Sequence, residues 1–276
     1  MNWSPEAVEP APRQWEPPRP RWKRLLGPLA AAGFLAVKFG AKLKALLLLL
    51  PKLKLFTTSA SMLVSIAAYA LIWGWRFGVG FVLLLLVHEM GHVIQLRREG
   101  IKASAPMFIP FLGALVAMKE LPRDAAAEAR VGLAGPVLGA IGCLVPVAIW
   151  QLTGSELFQA LAFIGFFLNL FNLLPVLPLD GGRAMAALSP AMWIVGYAML
   201  VALTFLYPNP ILLLVLVFGG LETWRRWKAR KSPEGRRFHE VRPRTRAAVV
   251  AVYLGLAALL AVGMDATFLE RDLDDV

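Results

Sequence analysis

The chain has 276 residues, of which 58% are hydrophobic and only 17% charged, with a mean hydropathy of +0.62. That balance excludes an ordinary soluble globular domain and fits a chain that crosses a bilayer several times. The formal charge of +11 would suit a nucleic-acid partner. The basic residues, however, lie between apolar runs and bring no base-stacking or groove-reading motif, so they are read as orienting membrane loops, with the lipid bilayer as partner and no nucleic acid. A single cysteine, Cys143 in an apolar stretch, excludes an intramolecular disulfide and a cysteine-rich metal site.

Residues 1–22 carry six prolines and Trp3, Trp15 and Trp22 without apolar periodicity, and are read as a disordered tail. Leu25 to Ala36, preceded by Arg21 to Arg24, resembles the core of a signal peptide. The long proline-rich tail before it and the continuing pattern past Lys38, Lys42 and Lys44 argue against cleavage. Residues 23–54 are expected instead as basic helices on the membrane face.

A catalytic transmembrane core is placed at 55–190. Its first two spans are Leu55–Trp73 and Phe77–Leu96, joined by a short turn at Gly74 and Arg76. Ile101–Lys119 is apolar but interrupted by Pro106, Pro110 and Gly113, which predicts short strands in a re-entrant hairpin rather than a helix. Further spans are read at Val131–Trp150, Leu157–Leu177 and near Ala187–Leu206. A marginal one near Ile211–Leu221 follows, then a basic loop at 223–246 and a last span near Ala247–Met264. The additional spans occupy 191–264, and 265–276 form an acidic tail. The expected fold is thus an all-α polytopic membrane protein of about seven transmembrane helices, with a re-entrant β-hairpin between the second and third spans.

Orientation follows from loop charge. Residues 223–246 hold ten Lys and Arg against two acids, whereas 265–276 hold five acids against one Arg. The last span therefore runs outward from the cytoplasm, and seven spans put the N-terminus in the cytoplasm and the C-terminus outside the plasma membrane.

The second span carries the chemistry. His88, Glu89 and His92 form H-E-x-x-H; at i and i+4 on a helix the two imidazoles share a face and can meet one ion, with Glu89 beside it as a base for water. His88 lies nine residues from Arg97, about 13 Å at 1.5 Å per residue, which puts the site inside the bilayer toward the cytoplasm. A carboxylate at that depth costs about 3 kcal/mol without a partner, and a bound cation is such a partner.

Two histidines need a third ligand. His239 sits in the basic loop, where solvation explains it. Asp124 and Glu128 precede a span, where acids complement a helix N-terminus. Asp180 ends the run from Asn169 to Gly182, in which Pro175, Pro178 and two glycines break helix geometry in apolar surroundings; broken backbone at membrane depth lines a site.

With H-E-M-G-H at 88–92 and N-x-x-P-x-x-x-L-D-G at 172–181, the chain resembles the site-2 protease family of intramembrane zinc metalloproteases over roughly residues 55–190. The resemblance implies one zinc per chain on His88, His92 and Asp180, Glu89 as catalytic base, and Asn172 positioning a membrane-protein substrate. Residues 106–118, with Pro110 and Gly113, resemble the family's re-entrant hairpin, and an exposed strand edge there could capture an unwound substrate by strand addition. Ala134, Gly135, Pro136 and Gly139 look like a familiar segment of the middle core span, although Gly135 and Gly139 are also what close helix packing requires, and Asn169 and Asn172 could serve only to link helices. The stretch between the two motifs leaves no room for an inserted PDZ domain, and the chain after 190 does not resemble a CBS pair.

Three other readings compete with this one. A prenyl-protein protease also carries H-E-x-x-H but resembles a glutamate-supplied third ligand. A metal or proton carrier would need polar groups continuing past the site, and an inactive scaffold would have no use for Glu89. Ligand sets of this kind also accept cobalt or iron.

Overall fold

The structure is a computed structural model and describes residues 54–269. The proline-rich tail, the expected interfacial helices and most of the acidic tail lie outside the described residues.

The described chain is almost wholly helical, in the order α1 (Lys54–Trp73), α2 (Trp75–Arg98), the hairpin β1 (Met107–Ile109) and β2 (Gly113–Leu115), α3 (Ala125–Thr153), α4 (Glu156–Asn172), α5 (Asp180–Met185), α6 (Ala191–Leu206), α7 (Pro210–Ala229), α8 (Pro233–Phe238) and α9 (Pro243–Ala266). Each expected span finds a helix. Three of them, α2, α3 and α9, are long and apolar enough to cross a membrane by length and composition; α2, of 24 residues, is about 36 Å long.

Boundaries differ from expectation for local reasons. The span expected over Leu157–Leu177 stops at Asn172, because Pro175 and Pro178 cannot continue its hydrogen-bond ladder, and the chain unwinds before restarting as α5. The marginal segment at Ile211–Leu221 is part of a 20-residue helix. Asn209 caps it by accepting from the Ile211 N–H at 2.8 Å, and its last turns carry Glu222, Arg225, Arg226 and Lys228.

Between α1 and α2 the reversal depends on Gly74, whose φ of 83° a side chain would disfavour. α2 buries Gly78, Val82, Leu85, His88, His92 and Leu96, a face spaced by threes and fours. It packs on α3, which begins with Asp124 accepting from the Ala127 N–H at 2.7 Å and closes on Gly154 in the left-handed region. The main core is built from Leu84, Leu133, Cys143, Phe166, Leu177 and Trp193, drawn from α2 through α6. Large apolar side chains such as Leu71, Leu83, Leu144, Phe205 and Val262 face outward, as a lipid-facing surface requires.

The hairpin is present where proline and glycine placed it. Met107 pairs with Leu115, Phe108 with Ala114 and Ile109 with Gly113. Its bonds run to α1: the Phe108 N–H donates to Ser61 Oγ at 3.1 Å, the Phe111 N–H to the Tyr69 hydroxyl at 3.1 Å, and Thr58 Oγ1 to the Pro106 carbonyl at 2.8 Å.

Ion pairs gather at one end of the bundle. Glu99, just past α2, accepts from Arg130 Nε at 2.6 Å and Nη2 at 3.0 Å. That guanidinium holds the Glu99 carboxyl below the usual carboxylate range, so the pair supports folding at neutral pH and that support is lost as pH falls through the lowered value. Glu128, expected only to complement a helix N-terminus, instead accepts from Arg226 Nη1 at 2.7 and 2.9 Å and is 1% exposed. The start of α3 is thereby clipped to the end of α7. The opposite end is held by apolar contacts instead: Tyr69, Trp73, Phe77 and Phe81 pack around the α1–α2 turn, Gln159 Nε2 reaches the Phe268 carbonyl at 3.4 Å, and Phe163 meets the Phe268 ring.

Removing one partner of the buried clip strands a charge. Glu128→Ala is expected to lower stability by about 3 kcal/mol in a denaturation series in detergent micelles. Glu128→Gln combined with Arg226→Met should recover most of that loss; equal loss in single and double variants would show that the pair matters only through packing.

Candidate metal centre

Two elements far apart in sequence bring the donors together. α2 presents His88 and His92 from successive turns, and α5 presents Asp180 from its first residue. His88 Nε2 lies 3.1 Å and His92 Nε2 3.2 Å from Asp180 Oδ2, and the two imidazole nitrogens are 3.2 Å apart. All three residues are buried.

The outer nitrogens decide what this triangle is. Asn169 donates through Nδ2 to the Gly165 carbonyl at 2.8 Å, which turns its Oδ1 toward His88 Nδ1 at 2.8 Å. An amide oxygen only accepts, so the His88 proton is on Nδ1. His92 Nδ1 likewise faces the Val131 carbonyl at 2.8 Å and must donate to it. Both Nε2 lone pairs therefore point at each other and at a carboxylate oxygen. A proton could bridge one side of such a triangle, whereas a divalent ion satisfies all three. A tetrahedral ion about 2.0–2.1 Å from each donor sets donor separations of about 3.3–3.4 Å, close to those observed. The residues present fit a metal with two neutral nitrogens and one carboxylate.

Packing around the triangle leaves no slack. A Cβ on Gly135 would strike the His92 imidazole, and one on Gly139 the Asn169 amide, so α3 can pass beside the site only with glycine at those points. Gly181 and Gly182 pack equally close to the backbone of 173–177. That loop and α5 are tied from behind, since Trp193 Nε1 donates to the Gly182 carbonyl at 2.7 Å and the Tyr253 hydroxyl to the Leu173 carbonyl.

The other expected site residues fall as follows. Glu89 is buried on the same turn as His88, outside the triangle. Asn172, half-buried at the end of α4, donates to the Leu168 carbonyl at 3.1 Å. Pro110 and Gly113 lie in and after the hairpin turn, whose bonds go to α1 and not to the triangle. His239 is away from the site, but it is not a freely solvated loop residue: its Nδ1 meets the Ala186 carbonyl at 3.0 Å and its ring meets Trp193. Asn169 and the Val131 carbonyl hold the two histidines. Of these, Asn169 alone carries a sequence signal, a polar side chain in an apolar helix.

The profile of peptidase family M50 matches residues 76–155 and 144–203, a region containing both histidines, Glu89 and Asp180. The zinc metalloprotease MJ0392 of Methanocaldococcus jannaschii is 29% identical over 160 residues, 56% of this chain and 45% of that protein. The putative zinc metalloprotease Rip3 of Mycobacterium tuberculosis is 30% identical over 147 residues, 48% of this chain and 37% of its own. A third, the putative zinc metalloprotease sll0528 of Synechocystis, is 29% identical over 126 residues, 41% of this chain and 32% of its own. Over residues 76–203 this chain matches peptidase family M50, the site-2 protease family. It spans less than half the length of these curated relatives.

Because Asn169 fixes the His88 tautomer, Asn169→Ala is expected to weaken metal retention about 10- to 100-fold against a graded chelator, with the fold retained. Unchanged retention would mean that the tautomer is set elsewhere.

Proposed function

We propose that the chain is an intramembrane zinc metalloprotease that hydrolyses a peptide bond in or beside a transmembrane segment of another membrane protein. The observation that carries this reading is the acceptor-only triangle of His88, His92 and Asp180, with Glu89 beside it on a helix long enough to span a bilayer. The family match and the names of the relatives support it.

In this reading His88, His92 and Asp180 hold one zinc ion, which when bound would supply an acidified water and a Lewis acid for the scissile carbonyl. Glu89 accepts the proton of the attacking water and returns it to the leaving amide nitrogen. Water and charge are kept out elsewhere by the apolar walls of α2, α3 and α4. A helical substrate hides its amides in its own bonds and must unwind to be cut. The hairpin, re-entrant in this reading, offers a strand edge near Pro110 and Gly113 to pair with the unwound segment, and Asn172 holds it near the site.

The reading takes α1, α2, α3, α4, α6, α7 and α9 as seven spans of the plasma membrane, with the N-terminus cytoplasmic and the C-terminus outside. The clustering of Glu99, Arg130, Glu128 and Arg226 at one end supports a common cytoplasmic face for the ends of α2 and α7 and the start of α3.

Two experiments test these claims. Purified protein should carry about one zinc by elemental analysis, lost in His88→Ala, His92→Ala and Asp180→Ala but kept in His239→Ala. Glu89→Gln should keep zinc and fold, lose turnover by a factor of about 10² to 10⁴, and co-purify with an uncut membrane protein. A variant that traps nothing, leaves the membrane proteome unchanged and alters metal flux in vesicles would replace the protease with a carrier.

For topology, single cysteines at Arg237 and Asp265, both exposed, should label with an impermeant reagent from the cytoplasm and from outside respectively. Cys143 is buried and leaves the background silent. Labelling of both from one face would refute the seven-span arrangement.

A further inference from the structure

A cavity of about 370 Å³ lies between the start of α3, the end of α7, α6 and the short helix α8. Its walls include Trp193 and Phe238 as apolar surfaces and Arg225, Arg226 and Arg230 as cations. We propose that this cavity binds a phosphate group, carried by the headgroup of an anionic lipid.

The charge inventory supports an anion. Arg226 is committed to Glu128 and Glu222 and serves as a wall. Among the described residues Arg225 meets only Glu222, through Nη2 at 3.2 and 3.3 Å, and 78% of its side chain is exposed. Arg230 donates Nη1 to the Trp227 carbonyl at 3.0 Å, and its Cζ sits over the Trp227 ring, 3.3 Å from the centroid. A guanidinium has five N–H donors in a planar fork, so both retain donors that can face a phosphate bidentately. Ser232 Oγ accepts from the Gly235 N–H, which leaves its own O–H to donate. On the same wall Glu234 forms no ion pair among the described residues and opposes an anion. The segment around the cavity, residues 223–246, carries ten Lys and Arg against two acids, so the surrounding field is positive.

Location selects the lipid as the carrier. The cavity opens where α7 passes from apolar residues to charged ones, beside Trp224 with Lys228 over its ring and Trp227 under Arg230, an aromatic and basic collar of the kind found at headgroup depth. Basic pockets among membrane helices at that depth take anionic headgroups, each nearby Lys or Arg adding about 1 kcal/mol of attraction. An occupant would touch Trp193 and His239, which bond the Gly182 and Ala186 carbonyls on and beside the helix bearing Asp180. The cavity thus lies one hydrogen bond from the ligand helix.

The test uses the full chain in detergent, with native mass spectrometry to count bound phosphatidylglycerol against phosphatidylcholine, and thermal midpoints recorded with each lipid and with inorganic phosphate alone. Phosphatidylglycerol should bind in preference and raise the midpoint. Arg225→Gln with Arg230→Gln should weaken that binding roughly ten- to thirtyfold, two cations being removed. Glu234→Gln should strengthen it, a gain that misfolding cannot mimic. Both variants should keep the wild-type midpoint in phosphatidylcholine. Equal phosphatidylglycerol binding by wild type and both variants would overturn the site. A midpoint shift by inorganic phosphate as large as that by the lipid, sensitive to the same variants, would overturn the lipid as the carrier and assign the cavity to free phosphate.

Discussion

Three ligand atoms meeting within 3.2 Å of one another, His88 Nε2, His92 Nε2 and Asp180 Oδ2, are the constraint around which this chain is arranged. Lone pairs so placed repel one another, and in an apolar interior no water relieves them. The arrangement persists because both imidazoles are pinned from outside, by Asn169 and by the Val131 carbonyl, and because α5 is fastened to the core by Trp193. The three donors are thus already placed to bind a metal ion.

That requirement explains the sequence of α3. Its middle passes so close to the site that only glycine is admitted at 135 and 139, while its start carries the polar residues that fix its height in the bundle, Asp124 as a cap and Glu128 and Arg130 as ion-pair partners. Glycine weakens a helix by roughly 0.5–1 kcal/mol per residue relative to alanine, and the clips to Arg226 and Glu99 offset such losses at its start.

Much of this was legible in the sequence, and for physical reasons. Hydropathy locates helices because the bilayer demands about twenty apolar residues, and H-E-x-x-H announces itself because imidazoles at i and i+4 share a face. Asp180 was legible through the prolines and glycines around it. Helix ends were less so: Leu173 to Leu177 are as apolar as any span, yet Pro175 and Pro178 stop the helix at Asn172. What holds the histidines was the least legible. The Val131 partner is a backbone carbonyl, which has no residue signature. Asn169 and Asn172 look alike from sequence, and only their positions on α4 decide that Asn169 meets His88 while Asn172 turns back to Leu168. Glu128 was read as complementing its own helix because its partner lies 98 residues further along.

The uneven placement of ion pairs gives the bundle two unlike ends. Charged clips at Glu99, Arg130, Glu128 and Arg226 bind one of them, whereas the other is joined by aliphatic contacts, the aromatic group of Tyr69, Trp73, Phe77 and Phe81, a 3.4 Å bond and the Phe163–Phe268 pair. Salt and acid therefore act on the clipped end and leave the apolar one alone, so the two ends of the bundle loosen under different conditions.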